Sequence, residues 1–368
     1  VGVFMYIKYL NLINFRNYEN MTIELCDGTN VFQGDNAQGK TNILESLYYS
    51  SIGRSHRTNK DKELIGWKHS ESYIGAYIVK ERLDKKINIK LFKDGKKAIN
   101  INSIKISKLQ DLMGVLNVVM FSPEDLDIVK DSPSYRRRFL DIELCKLDKK
   151  YYYCLSSYKK VLNERNMILK RFSANEDMID VYDIKLAEFG SYIIAKRLDY
   201  INKLNEFASG IHREITQGKE EIRFEYLMQL KNGEDIKDSL YKLIKFNRKK
   251  DIDKRVTSVG PHRDDFSIFI NDMDVKIFGS QGQQRTSVLT IKFASLHIIK
   301  NLIGEYPLLL LDDVLSELDS KRQEYILKSI NGIQTLITCT GIADIKRHLK
   351  NNNMKIFNVE QGTVKEII

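Results

Sequence analysis

From residue 6 to about 120, apolar and polar positions alternate in short runs separated by turns. "YIKYLNLINF" (6–15), "MTIEL" (21–25), "YIGAYIV" (73–79) and "KINIKLF" (86–92) predict strands. In "FKDGKKAININ", Asp94 and Gly95 sit between two such runs, a hairpin signal. One segment breaks the alternation. Between Thr41 and Tyr49, residues Ile43, Leu44, Leu47 and Tyr48 share one helical face. From about 124 to 250 the period becomes helical, with long amphipathic helices expected over 151–172 and 186–215. Two-residue alternation reappears only at "EIRFEYLM" (221–228). After residue 255, "DDFSIFI" (264–270), "DVKIF" (274–278), "PLLLLDD" (307–313) and "QTLITCT" (334–340) read as strands again. The pattern predicts an α/β domain formed by residues 1–121 and 255–368, interrupted by a mainly helical insertion over 122–254. No heptad persists over three or four repeats, which argues against a long coiled coil.

Composition narrows the class. With 368 residues, 42% hydrophobic and 29% charged, the chain can bury a sizeable core in two domains. A formal net charge of +10 favours a polyanionic partner, because bound lysines and arginines release the counterions condensed on a phosphate backbone. Cys26, Cys145, Cys154 and Cys339 are scattered, with no C-x-x-C pair and no metal-ligand spacing. That usage suits a reducing cytoplasm. No run approaches the roughly 18 apolar residues of a membrane span, and the N-terminal residues lack a signal-peptide pattern, so no membrane association is expected.

"GDNAQGKTN" fits G-x-x-x-x-G-K-[ST] without a gap: Gly34, Asp35, Asn36, Ala37, Gln38, Gly39, Lys40, Thr41. Glycines permit the backbone angles that turn successive N–H groups toward phosphate oxygens. Lys40 would place an ammonium between β- and γ-phosphates, the Thr41 hydroxyl would ligate Mg²⁺, and the helix N-terminus would add its dipole. The strand-like "TNVFQ" before the loop and the helix after it supply the required context. The loop therefore predicts binding of ATP with Mg²⁺.

A phosphate loop needs a carboxylate for its metal. Leu308–Leu311 form a continuous apolar run, as in a strand covered on both faces, and Asp312 and Asp313 follow at its end. Asp312 is expected to hold Mg²⁺ through water and Asp313 to orient the attacking water, with Lys40 and Asp313 as the catalytic pair. Asp312 lies 272 residues after Lys40, which independently argues for an insertion. Between them, Ser280 and Gln283 have the S-x-x-Q spacing of a capping box, enough to explain a helix start. Val288, Leu289, Ile291, Phe293, Leu296 and Ile299 would be the buried face of that helix. The alternative is that Ser280, Gly282 and Gln283 grip the γ-phosphate held by another subunit.

A phosphate loop, a serine–glycine–glutamine signature and a strand with paired acids before "SELD" resemble the ABC-type ATPase head shared with SMC proteins. More narrowly, the chain is similar to the RecF family of bacterial recombination-repair ATPases. The likeness rests on "NFRNY" (14–18), the phosphate loop, "FSPEDLDIVKDSPSYRRRFLD" (121–141), "GPHRDD" (260–265), "SQGQQRT" (280–286) and "LLLDDVLSELD" (309–319). It implies a P-loop ABC-type ATPase head with an inserted mainly helical lobe. It also implies weak, DNA-stimulated ATP hydrolysis and an ATP-dependent homodimer that clamps DNA at boundaries of single-stranded and gapped duplex regions. RecR and RecO mediators, RecA loading and the SOS response come with it. The class usually has glutamate where Asp313 stands and a histidine where Thr338, Cys339 and Thr340 stand; the shorter aspartate fits slow turnover. His262 and Arg263 recur in the family, which suggests a role at the nucleotide or a domain interface.

Basic clusters are the candidates for DNA contact: Arg54, Arg57, Lys60 and Lys62; Lys245, Arg248, Lys249, Lys250, Lys254 and Arg255; Arg136–Arg138; and Lys96 with Lys97. Each could equally be a solvated face, and Arg136–Arg138 should include one buried, acid-paired arginine. No base-reading motif is present, so contacts would go to phosphates. Two rival readings make different demands. A transporter-type ABC ATPase subunit calls for glutamate at 313 and a histidine after the last strand, whereas an SMC-like structural ATPase calls for a long coiled coil.

Overall fold

The computed structural model describes residues 5–170, 176–230, 235–341 and 353–367. The chain opens with β1 (Tyr6–Phe15), β2 (Tyr18–Glu24), β3 (Thr29–Gln33), α1 (Lys40–Ile52), β4 (Glu71–Val79), β5 (Lys85–Phe92), β6 (Lys97–Ile101), β7 (Ile104–Ile106) and β8 (Val118–Phe121). Helices follow: α2 (Asp127–Lys130), α3 (Pro133–Leu147), α4 (Lys149–Leu169) and α5 (Glu176–Thr216). Then come β9 (Ile222–Leu227), α6 (Ile236–Phe246), α7 (Arg248–Lys254), β10 (Asp265–Ile270), β11 (Met273–Asp274), α8 (Val275–Phe278) and α9 (Gln281–Ile303). The chain closes with β12 (Leu308–Asp312), α10 (Ser320–Ser329), β13 (Thr335–Cys339), β14 (Met354–Glu360) and β15 (Thr363–Glu366).

Contacts divide the chain into two compact units, residues 1–125 with 292–368, and residues 126–291. The first unit holds two six-stranded sheets. One is antiparallel, in the order β2-β1-β4-β5-β6-β7. The other runs β15-β14-β3-β13-β12-β8 and is parallel except for β15. Its central strands are apolar because both faces are covered. Leu308–Leu311 are at most 1% exposed, and burying each contributes about 2 kcal/mol. Register then aligns the strand ends. Asp312 sits opposite Thr338, which sits opposite Phe32, and Cys339 opposite Gln33. The carboxyl ends of β3, β12 and β13 thus meet at one edge, where ligands bind in open α/β sheets.

The second unit is mainly helical with the small sheet β11-β10-β9. This unit runs to 291, past the 254 expected for the insertion. The reason is pairing: β10 lies antiparallel to β9, from Asp265↔Leu227 to Ile270↔Ile222, and this ties the returning chain to the insertion. "DVKIF" was expected as a strand, but only Asp274 is in one. Asp274 ends β11 and caps α8 by accepting from the Lys276 N–H.

Candidate nucleotide site

The phosphate loop joins β3 to α1. Gly39 has φ +115°, and a Cβ there would come within 3 Å of the Asn17 amide and the Tyr18 hydroxyl oxygen. A Cβ on Gly34 would lie 2.3 Å from the Val359 carbonyl oxygen. Both positions therefore require glycine. The Lys40 ammonium donates to the carbonyls of Gly34 (2.6 Å) and Asp35 (2.7 Å), so its charge sits over the loop. Asn36, Ala37 and Gln38 form the crown, with Ala37 at φ +65°.

The loop is braced from two sides. Asn17 donates to the Gln38 carbonyl (2.9 Å) and Tyr18 to the Gly39 carbonyl (3.1 Å). From the turn between β14 and β15, the Gln361 N–H donates to Gln38 Oε1 (2.7 Å) and the Gly362 N–H to the Gln38 carbonyl (3.2 Å). "NFRNY" served only as a family mark in the sequence; its Asn17 and Tyr18 have this mechanical use. In α1, Glu45 is fully buried and held by Arg16 Nε (2.9 Å), Arg16 Nη2 (2.8 Å) and the Ser55 hydroxyl. Burial opposes its charge, but the Arg16 and Ser55 hydrogen bonds outweigh that and hold the carboxyl below its ordinary range.

Opposite the loop, Asp312 ends β12 at 5% exposure. Its Oδ1 accepts from Thr41 Oγ1 and from Thr338 Oγ1, each at 2.8 Å. Burial raises its pKa, and the Thr41 and Thr338 bonds offset only part of this. Asp313 has φ +53°. Its N–H donates to Thr338 Oγ1 (2.9 Å), and Ser316 Oγ donates toward its carbonyl (2.7 Å) and carboxylate (3.1 Å). The structure thus brings Lys40, Thr41, Asp312 and Asp313 to one sheet edge. It adds Thr338, which the family resemblance marks, with Cys339 and Thr340, only as standing where the class has a histidine. Thr41 and Asp312 supply the hard oxygen donors that Mg²⁺ prefers.

Beside the loop lies a cavity of about 500 Å³. Asn17, Asn42, Arg57, Trp67 and His69 are among its lining residues. Trp67 is 96% exposed, and no sequence motif had singled it out.

In the second unit the capping box is formed. The Gln283 N–H donates to Ser280 Oγ (3.2 Å) and the Ser280 N–H to Gln283 Oε1 (2.9 Å), while Gln283 Nε2 donates to Glu220 (2.9 Å). Gly282 lies in the first turn of α9. Val288, Leu289, Ile291, Phe293, Leu296 and Ile299 are all buried, but so are Thr286, Ser287, Thr290, Lys292 and Ser295, so α9 is enclosed all round here rather than on one face. The contacts of His262 and Arg263 run within this unit. The His262 ring meets the Tyr158 hydroxyl (2.7 Å) and the Thr257 carbonyl (3.1 Å), and Arg263 donates to the same carbonyl (3.2 Å).

The basic clusters separate into committed and accessible groups. Arg136 is buried and pairs with Asp265 through both Nε (2.7 Å) and Nη2 (2.8 Å), Arg137 donates to the Asp264 carbonyl, and Arg138 is exposed. Arg248 is committed to Asp180 (2.6 Å) and Asp183 (2.7 Å), and Lys97 to Asp61 (2.9 Å). Arg57 reaches Asn42 (3.1 Å) and Glu45 (3.6 Å). Lys60 and Lys96 make exposed pairs with Glu63 and Asp94. Arg54, Lys62, Lys249, Lys250 and Lys254 are exposed.

Comparison with known proteins agrees with this geometry. The family model described as the RecF/RecN/SMC N terminal domain matches residues 6–365. The "DNA replication and repair protein RecF" of Clostridium tetani (strain Massachusetts / E88) is 64% identical over 364 residues, covering 97% of this chain and 99% of the relative. That of Clostridium perfringens (strain 13 / Type A) is 61% identical over 360 residues, covering 98% and 99%. Among solved structures, the recombination mediator protein RecF-ATP of the RecFOR pathway superposes with a TM-score of 0.93 at 36% identity, covering 100% of this chain and 99% of that one. The Smc head domain from Pyrococcus furiosus, at 16% identity and a TM-score of 0.58, shares the fold over 99% of this chain and 96% of that one. With a matching model over nearly its whole length and close relatives spanning both chains, this protein belongs to the RecF family of DNA replication and repair proteins, built on an SMC-type ATPase head.

Proposed function

We propose that this protein is an ATP-dependent DNA-binding protein of recombinational repair, acting in the cytoplasm. The observation that carries the reading is the 2.8 Å hydrogen bond from Thr41 to Asp312, which joins the phosphate loop to the acid strand. Lys40 and the loop N–H groups from Gly34 to Thr41 take the phosphates, and the cavity bordered by Asn17 and Trp67 takes the nucleoside end. Mg²⁺ held by Thr41 and Asp312 would neutralise phosphate charge, and Asp313 would orient the attacking water. Hydrolysis is slow, because an aspartate reaches less far than a glutamate. The solved structure of the recombination mediator protein RecF-ATP supports the choice of nucleotide.

Two copies pair around the nucleotide, with Ser280, Gly282 and Gln283 of one meeting the triphosphate held by the other. The pair clamps DNA at junctions of single-stranded and gapped duplex regions, and hydrolysis releases it. The net charge of +10 and the exposed Arg54, Lys249 and Lys250 favour contact with phosphates over bases. Arg57 and Lys60 have acidic neighbours and are weaker candidates, and Arg248 is held by its two aspartates. The RecFOR pathway of the relatives supports RecO and RecR as mediator partners in RecA loading. Light scattering with ATP, Mg²⁺ and gapped duplex DNA tests the reading. A dimer that forms only with nucleotide, and DNA affinity that falls steeply with salt, are expected. A single copy under saturating nucleotide would overturn it.

A further inference from the structure

We propose that Thr338 is a positioning residue for hydrolysis, holding Asp313 in its reactive placement through one hydroxyl group shared with Asp312. Thr338 stands in the parallel sheet at 1% exposure, directly opposite Asp312 in the ladder between β12 and β13. Its neighbours Leu336 and Ile337 show that an apolar residue would serve the strand equally well. The hydroxyl carries one proton. The Leu311 carbonyl, at 3.5 Å, is a poor acceptor, so the proton goes to Asp312 Oδ1 at 2.8 Å. A lone pair on the same oxygen accepts the Asp313 N–H at 2.9 Å.

Asp313 needs that anchor. Its φ of +53° is uncommon outside glycine, although aspartate adopts it more readily than most side chains, and the bonds around it help to hold it there. Thr338 fixes the N–H side of the residue and Ser316 its carbonyl side. The Thr338 γ-methyl limits χ1, which keeps the hydroxyl between the two acids. Without the hydroxyl, the Asp313 backbone can relax and its carboxylate moves with it. A displacement near 1 Å at a reacting group costs on the order of 10²-fold in rate while leaving phosphate contacts intact.

This inference rests on the ATPase reading above, and the test separates the two. ATP affinity and single-turnover hydrolysis are measured for the full-length wild type, Thr338→Val, Thr338→Ser, Asp313→Asn and the Asp313→Asn/Thr338→Val double variant. Thr338→Val should lower the hydrolysis rate roughly 10- to 100-fold with ATP affinity within about threefold of wild type. Thr338→Ser should recover most of the rate. In the Asp313→Asn background the valine should have no further effect on rate, because the group it positions is already gone. Wild-type hydrolysis in Thr338→Val, a serine variant as slow as the valine one, or an undiminished valine effect on top of Asp313→Asn would each overturn the proposal. Should the valine variant fail to fold, Thr338→Ala replaces it in the same cycle. A wild type that binds no ATP would instead overturn the ATPase reading, and this inference with it.

Discussion

The Thr41 hydroxyl donates to Asp312 Oδ1 across 2.8 Å, although 271 positions separate the two residues in the chain. Register explains how they meet. β13 pairs with β3 on one side and β12 on the other, so the strand ends arrive together and the loop after β3 faces the acid after β12. If both oxygens belong to one Mg²⁺ site, Thr41→Val keeps the shape and removes a ligand. ATP affinity in Mg²⁺ should fall about tenfold, with little change in EDTA. Titrations under both conditions check this; an equal loss in each would mean that the hydroxyl serves the loop and not the metal.

Lys40 aims its ammonium over the loop carbonyls of Gly34 and Asp35. Lys40→Ala removes a charge-assisted contact of about 1.5–3 kcal/mol, so nucleotide affinity should drop roughly 10- to 100-fold or more. A calorimetric titration with a slowly hydrolysed ATP analogue reads this directly. Unchanged affinity would refute the phosphate-loop assignment.

For Asp313→Asn, binding and turnover should separate. Asparagine keeps the size and tolerates φ near +53°, so the turn survives. A carboxylate that orients water contributes about 10²- to 10⁴-fold, and the loss should appear in kcat alone. The nucleotide-bound dimer should then accumulate on a sizing column. Normal turnover would take Asp313 out of the chemistry.

Much of this site was legible before folding, because its parts are local. The phosphate loop is eight consecutive residues, and the acids end an apolar run whose burial on both faces announces itself. What stayed hidden depends on pairing between distant segments. The resemblance marks Thr338, Cys339 and Thr340 only as standing where the class has a histidine, and only the register with β12 gives Thr338 two acids to hold. The placement of residues 255–291 is hidden for the same reason, since β9 and β10 pair across the intervening α6 and α7. "DVKIF" failed differently. Five residues fit either period, and the Asp274 cap decided for helix.

Ser280 has a demonstrated structural task and a proposed functional one, and two substitutions separate them. Its hydroxyl caps α9 through the Gln283 N–H. Ser280→Ala removes the cap, at about 1 kcal/mol of stability, and leaves room for a triphosphate from another copy. Ser280→Arg removes the cap and fills that room. Both should bind ATP, but only the arginine variant should stay monomeric with nucleotide, as analytical ultracentrifugation would show. Dimerisation of both variants alike would leave capping as the residue's whole role.

His262 makes the second unit sensitive to acid. A carbonyl can only accept, so Nε2 donates its proton to the Thr257 carbonyl, and in the neutral ring Nδ1 accepts from the Tyr158 hydroxyl. Burial and the nearby guanidinium groups of Arg263 and Arg137 lower the ring's pKa from 6.5 to about 4, against the opposing pull of the Thr257 carbonyl and Asp251. The sign follows from proton counting. Between these values the unfolded chain binds a proton that the folded one refuses, so this contribution is complete above pH 6.5 and is lost as pH falls toward 4. At most it amounts to about 3 kcal/mol. His262→Gln cannot titrate there, although it carries its own packing cost. The stability gap between wild type and variant should therefore narrow steadily from pH 7.5 to pH 4.5 in urea unfolding. Parallel pH profiles for the two proteins would show that His262 does not carry this acid sensitivity.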